Sequence, residues 1–261
     1  MGTNGVALAP EAFLQLAGHP LRWRILGDLA RSDRTVGELT DLAGHPQNLV
    51  SYHLGKLRAA DLVSARRSSA DRRDSYYTVD LTRLAELLDG TGEALHPGLR
   101  RGPAPERAIE PAPARVLFLC TGNSARSQMA EALARVRSGG VVEAHSAGSH
   151  PKPLHQNAVR AMREEHGIDL AGHRSKHIRE VGEAPFDRVV TLCDRVREVC
   201  PELPGDPESI HWSIADPAAG HADDEASYPA FQQLAFDLGT RIGFLLATLS
   251  APSRRNHDRP E

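Results

Sequence analysis

The sequence predicts two domains of different class: an N-terminal winged helix-turn-helix, mainly α with a β-hairpin wing, over residues 1–96, and a C-terminal α/β domain with a parallel sheet over residues 114–250. Three observations carry this division. Apolar residues recur at helical spacing up to about residue 60, and two short strand-like runs, Leu62–Arg67 and Ser75–Val79, follow. From His96 to Ala114 all periodicity is lost in Pro, Ala and charge, which places a semi-stiff connector at 97–113. Beyond it strands alternate with helices, the pattern of a parallel sheet covered on both faces. Residues 251–261 read as a polar tail.

A chain of 261 residues can bury two cores, and 40% hydrophobic with 25% charged residues is ordinary for a soluble protein. The formal net charge of −3 gives no overall pull toward nucleic acid or membrane, so any such contact needs a local patch. Met1 to Leu8 lacks the basic start and apolar core of a signal peptide, and no apolar run is long enough to span a bilayer. A cytoplasmic protein without a membrane partner is expected. The three cysteines, Cys120, Cys193 and Cys200, all lie in the second half.

In the first domain, Glu11–Ala17 carries Phe13, Leu14 and Leu16 and stops at His19-Pro20; a second helix starts at Leu21. Thr35-Val-Gly-Glu38 is a capping-box pattern opening a short helix through Leu42, broken by Gly44. The next helix, from Gln47 to Arg58, puts Val50, Leu54 and Leu57 on one face and leaves Gln47, Asn48, Ser51, Tyr52 and Lys56 for another. Short helix, tight turn, polar-faced helix is a helix-turn-helix. The two strands form a wing with Arg72 and Arg73 near its tip, and Asp80–Leu88 closes the domain as an amphipathic helix. Between positions 56 and 74, Lys56, Arg58, Arg66, Arg67, Arg72 and Arg73 face only Asp61, Asp71 and Asp74, so helix and wing are locally basic.

Leu16-Ala-Gly-His-Pro-Leu-Arg-Trp-Arg-Ile-Leu26, Thr35-Val-Gly-Glu-Leu39 and Val50-Ser-Tyr-His-Leu54 resemble the ArsR-type winged-helix repressors in order and spacing over about residues 10–90. The resemblance implies a homodimer through this domain on an operator DNA with two half-sites. Gln47, Asn48, Ser51 and His53 would lie near base edges, with Lys56, Arg72 and Arg73 on phosphates and Tyr52 as a further DNA contact. One departure is plain: arsenic-responsive members pair cysteines in the helix starting at the equivalent of Val36, and this domain has no cysteine. A soft arsenic ion finds no thiolate cage here.

The second domain opens on Val116-Leu-Phe-Leu-Cys120, a buried strand ending on a cysteine; five residues intervene before Arg126, and Ser127 to Arg135 is a strong helix former. Strand, small-residue loop and helix converge the backbone N–H groups of Thr121, Gly122, Asn123, Ser124 and Ala125 on one point, a nest for a tetrahedral oxyanion. Cys120 at its base is favoured as thiolate by the helix end and Arg126. Arg126 can grip two anion oxygens at once, Ser124 and Ser127 add hydroxyls, and Asn123 tolerates a left-handed backbone. Val141–Gly148, Phe186–Cys193 and Ile210–Trp212 are further strands. Asn157–Gly167 and Tyr228–Leu249 are helices, the latter with Phe231, Leu234, Leu238, Ile242 and Leu245 along one side. Asp216-Pro217 offers a proton donor on a stiffened loop, a weak signal alone. Cys193 and Cys200, seven apart, are wide for a zinc knuckle, and no second ligand pair appears, so no metal is expected.

Cys120-Thr-Gly-Asn-Ser-Ala-Arg-Ser-Gln-Met-Ala-Glu131 resembles the low-molecular-weight tyrosine phosphatase superfamily, and within it the thioredoxin-coupled arsenate reductases. The Cys193…Cys200-Pro201 arrangement and the small Ala218-Ala-Gly220 mouth after Asp216 match the reductases. The resemblance implies attack of Cys120 on arsenate with Asp216 as acid, then a disulfide relay through Cys193 to Cys200, reopened by thioredoxin or another thiol, with no bound cofactor. Asn123, Glu131 and Ser146 match three ligands of a potassium site in some reductases, but His173-Arg-Ser-Lys176 replaces the aspartate, so activity without potassium is expected. Two rival readings stand: a phosphatase for phosphotyrosine or small phosphate esters, and a non-catalytic regulator that senses arsenic with its three thiols.

Overall fold

The computed structural model describes residues 8–99, 111–181, 185–200 and 203–249, and its chain divides into two compact units. Most of the connector expected at 97–113 and all of the 251–261 tail lie outside the described residues.

The N-terminal unit contains α1 (Pro10–Ala17), α2 (Pro20–Leu29), β1 (Arg34–Thr35), α3 (Val36–Ala43), α4 (Gln47–Ala59), β2 (Val63–Arg67), β3 (Ser75–Val79) and α5 (Leu81–Leu95). Pro10 and Pro20 open their helices, where a missing N–H removes no helical bond. The capping box closes as its sequence predicts: Glu38 N–H donates to Thr35 Oγ1 at 3.3 Å and Thr35 N–H to Glu38 Oε2 at 2.8 Å. Gly44, at φ 65°, ends α3 in the left-handed conformation and turns the chain into α4. Phe13, Ile25, Leu39, Val50, Leu54, Leu57 and Leu62 form the core. Truncating one such leucine to alanine costs about 2–5 kcal/mol.

The three strands make an antiparallel sheet in the order β1-β3-β2, with Arg66 opposite Tyr76. The sequence showed the wing but not β1, whose two residues are too few to display alternation. The closing helix runs to Leu95 rather than Leu88, because Gly90 and Gly92 do not interrupt it. Residues 210–213 cluster with this unit, and there the Arg66 Nε donates to Ser213 O at 3.1 Å.

The C-terminal unit alternates β4 (Ala114–Cys120), α6 (Arg126–Arg137), β5 (Val142–Gly148), α7 (Gln156–His166), β6 (Arg188–Thr191), α8 (Asp194–Glu198), β7 (Glu208–His211) and α9 (Asp224–Leu249). The sheet order is β5-β4-β6-β7, with β4 parallel to both neighbours. Covered on both faces, β4 buries Val116, Leu117, Phe118 and Leu119 completely, so its sequence reads as an unbroken apolar run. Cys120 closes it level with Gly148 of β5. The strand expected over 186–193 is shorter, ending at Thr191; Cys193 instead caps the N-terminus of α8. Phe231, Leu234, Leu238, Ile242 and Leu245 are buried along α9, as their spacing predicts. Among the described residues no helix is long and apolar enough to cross a membrane.

Candidate active site

The loop between β4 and α6 is shaped by its carbonyls. Thr121 O accepts from His150 N–H, Gly122 O from Lys152 N–H and Ser124 O from His155 N–H, at 2.8–2.9 Å. Asn123 O accepts from Ser175 Oγ at 2.8 Å, and Ala125 O from Met129 N–H at 2.9 Å. A trans peptide points its N–H opposite its carbonyl, so five outward carbonyls direct the N–H groups of residues 122–126 the other way. Such N–H groups, ahead of a helix N-terminus, are the kind of arrangement that can receive an anion. Asn123 holds φ at 44°, the left-handed value its residue type tolerates. Gly148 is required beside it: a Cβ there would stand 2.7–2.9 Å from Thr121 O, Asn123 N and Cys120 O.

Cys120 is buried, with its sulfur 2.9 Å from Ser127 Oγ. Arg126, 8% exposed, donates through Nη1 to Ile214 O at 2.9 Å and places Nη2 3.3 Å from Asp216 Oδ2. Arg126 thus brings the Asp216 loop to the β4–α6 loop, and the Asp216 carboxylate is half exposed. Thr121 Oγ1 lies 3.3 Å from Cys193 Sγ, so the second cysteine stands one residue away from the first, buried with it. Cys200 is only partly buried, and burial pushes its thiol above the usual cysteine value. Cys120, Arg126, Asp216, Cys193 and the loop Thr121–Ser127 therefore converge, whereas Cys200 stands beyond the five-residue α8.

Sequence reading passed over the support beneath the loop. Asn123 Nδ2 donates to Ser127 Oγ at 2.8 Å and Ser146 Oγ at 2.9 Å, while its Oδ1 accepts from Gln128 Nε2 at 3.1 Å. Gln128 in turn meets His173 Nδ1 at 2.9 Å. Buried polar residues scattered over three elements leave no local spacing to detect. Lys176 Nζ is 3.2 Å from Oε2 of Glu131, one of the three residues that match the potassium ligands. Among the described residues no group of three or more His, Cys, Asp and Glu side chains could hold a metal ion.

On the N-terminal unit, Gln47, Asn48, Ser51, Tyr52 and Lys56 of α4 are exposed, as are Arg72 and Arg73 at the wing. His53 corrects the expectation of a base-edge contact. It is buried against the His19 ring at 4.3 Å and Arg22 Nη1 at 3.4 Å, because it follows the apolar face of Val50, Leu54 and Leu57 inward. Asp71 is held near 2 by the Arg73 guanidinium at 2.8 Å, which partly offsets the charge of the wing tip.

Comparison with known proteins agrees with both halves. A family model described as low molecular weight phosphotyrosine protein phosphatase matches residues 115–254, and one described as helix-turn-helix domain matches residues 17–65. The chain is 39% identical over 127 residues to the arsenate reductase of Halalkalibacterium halodurans, covering 49% of this chain and 91% of that protein. The arsenate reductase of Bacillus subtilis matches at 39% over 127 residues with the same coverage. A solved arsenate reductase in the phosphate binding state is 29% identical with a TM-score of 0.43, covering 52% of this chain and 98% of that one.

Proposed function

The chain belongs to the low molecular weight phosphotyrosine protein phosphatase family, with a helix-turn-helix domain ahead of the family domain, and from that premise we propose that it reduces arsenate to arsenite and binds operator DNA as a homodimer. The observation that carries the reductase reading is the Cys193 sulfur 3.3 Å from the hydroxyl of Thr121, the neighbour of Cys120. Phosphate-ester hydrolysis needs one thiol, whereas reduction of arsenate needs a second thiol within reach of the first.

The Cys120 thiolate attacks arsenic in the nest, and an arsenate oxygen leaves as water with a proton from Asp216. Cys193 then attacks the Cys120 sulfur. The sulfur–arsenic electron pair stays on arsenic, which departs as arsenite, and a Cys120–Cys193 disulfide remains. Cys200 attacks Cys193, restoring the Cys120 thiol and passing the disulfide outward, where a thioredoxin-type dithiol reduces it. Burial that raises the Cys200 thiol lowers its thiolate fraction, so exposure of this residue would speed the attack. On the first domain, exposed residues of α4 face base edges and the wing arginines face phosphates.

NADPH consumption with arsenate, thioredoxin and thioredoxin reductase tests the reading. Sustained consumption is expected, lost in Cys120→Ser, Cys193→Ser and Cys200→Ser, with at most one arsenite per chain released by Cys200→Ser and none through the relay by Cys193→Ser. Hydrolysis of an aryl phosphate without arsenate turnover would point instead to the phosphatase. Arsenic-dependent DNA binding with neither activity would leave a sensor.

A further inference from the structure

Behind the nest lies a chain of hydrogen bonds whose direction can be read donor by donor. Asn123 Oδ1 faces two donors: the backbone N–H of Lys176 at 2.7 Å and Gln128 Nε2 at 3.1 Å. The first has no acceptor form, and Gln128 Nε2 is itself oriented by Arg174 O at 2.8 Å. The Asn123 amide therefore has one orientation, with Nδ2 donating to both Ser127 Oγ and Ser146 Oγ. Each hydroxyl, having accepted, turns its own proton elsewhere. Ser146 donates to Glu131 Oε2 at 2.5 Å, and Ser127 is left to donate to the Cys120 sulfur at 2.9 Å.

The far end of this chain is a buried carboxylate. Glu131, with 4% of its side chain exposed, accepts the Ser146 proton on Oε2, and a buried carboxylate needs partners. It has two: Arg135 Nη2 at 2.8 Å on Oε1 and Lys176 Nζ at 3.2 Å on Oε2, the oxygen that Ser146 uses. Without the ammonium, Oε2 loses the charged donor that holds it against Ser146 Oγ, and the order set through Ser146 and Asn123 loses its anchor.

We propose that Lys176 is a positioning residue for the nucleophile: by holding Glu131 Oε2 in place against Ser146 it fixes the Ser146–Asn123–Ser127 chain so that a hydroxyl proton is always presented to the Cys120 thiolate. The inference deepens the proposed function of the same site, but it concerns the state of the sulfur and holds whichever oxyanion is the substrate.

The test uses the full chain with Cys193→Ser and Cys200→Ser, which leaves Cys120 as the sole cysteine, and follows its alkylation by iodoacetamide against pH by mass spectrometry. Lys176→Met should slow alkylation at pH 7 by about tenfold and move the profile to higher pH, the effect of losing one charge-assisted hydrogen bond. Lys176→Arg should restore the profile while Lys176→Met does not, a distinction that a purely packing role would not make. An unchanged profile in Lys176→Met, or an Arg variant as slow as the Met variant, overturns the proposal. Absence of arsenate turnover in the unaltered protein would sink the reductase reading and leave this result standing.

Discussion

Arg126 uses both ends of its guanidinium, one on Ile214 O at 2.9 Å and one 3.3 Å from Asp216, while its stem opens α6 at the nest. A lysine keeps the charge but cannot fork between an anion and the acid loop. Arg126→Lys should lower kcat for arsenate by roughly 10²–10³-fold, the usual loss when one oxyanion-stabilising group is removed. A drop below threefold in steady-state turnover would contradict that role. Lys176 gives a second expectation: with an ammonium 3.2 Å from Glu131, turnover in sodium and in potassium chloride at equal ionic strength should agree. A clear rise with potassium would show that the lysine does not serve as the local cation. Cys120, Arg126 and their loop were legible in the sequence because the nest is contiguous, seven residues from strand end to helix start. The placement of Asp216 and Cys193 beside it needed a resemblance. The Gln128 and His173 contacts were not legible at all, since they join side chains 45 residues apart.

Helix α3 shows how much local chemistry decides. Its capping box satisfies two N–H groups that a helix start leaves open. Thr35→Ala should therefore cost about 1 kcal/mol in denaturant titration of the N-terminal unit, with unchanged dependence on denaturant. Helix α4 was legible in its apolar stripe but misread at His53, because the stripe of Val50, Leu54 and Leu57 is wide enough to carry the intervening ring inward. Burial pushes His53 below the ordinary imidazole value of 6.5, and His19, Arg22 and His45 add in the same direction. The unfolded chain then binds more protons than the folded one just below pH 6.5, so stability is full above that pH and falls as pH drops toward the lowered folded value. Melting of the N-terminal unit at pH 5.5 should lie below that at pH 7.5, and His53→Gln should shrink the difference. An equal difference in both proteins would place the acid sensitivity elsewhere. The sequence missed β1 and the last turns of α5 for opposite reasons. Two residues are too few to show alternation, and two glycines resemble a helix stop where neither adopts a left-handed turn.

The chain divides into two compact units, and this predicts how it unfolds. A chain with two separate cores need not unfold in one step, and calorimetry should resolve two transitions. Ligands then assign them. Anything that binds only the folded form raises that form's stability by RT ln(1 + [L]/Kd), about 2.7 kcal/mol at a hundredfold excess over Kd. Arsenate or phosphate should raise one transition, and an Arg126→Ala variant should lose that rise. Duplex DNA at low salt should raise the other, and Lys56→Ala or Arg72→Ala should reduce the effect and flatten its salt dependence by about one counterion each. If the two functions are independent, each ligand moves one transition alone. If they are coupled, linkage requires the effect to be mutual: oxyanion must change DNA affinity by the same factor as DNA changes oxyanion affinity. Titrating the duplex with and without saturating phosphate therefore decides whether the fusion joins two independent activities or makes one depend on the other.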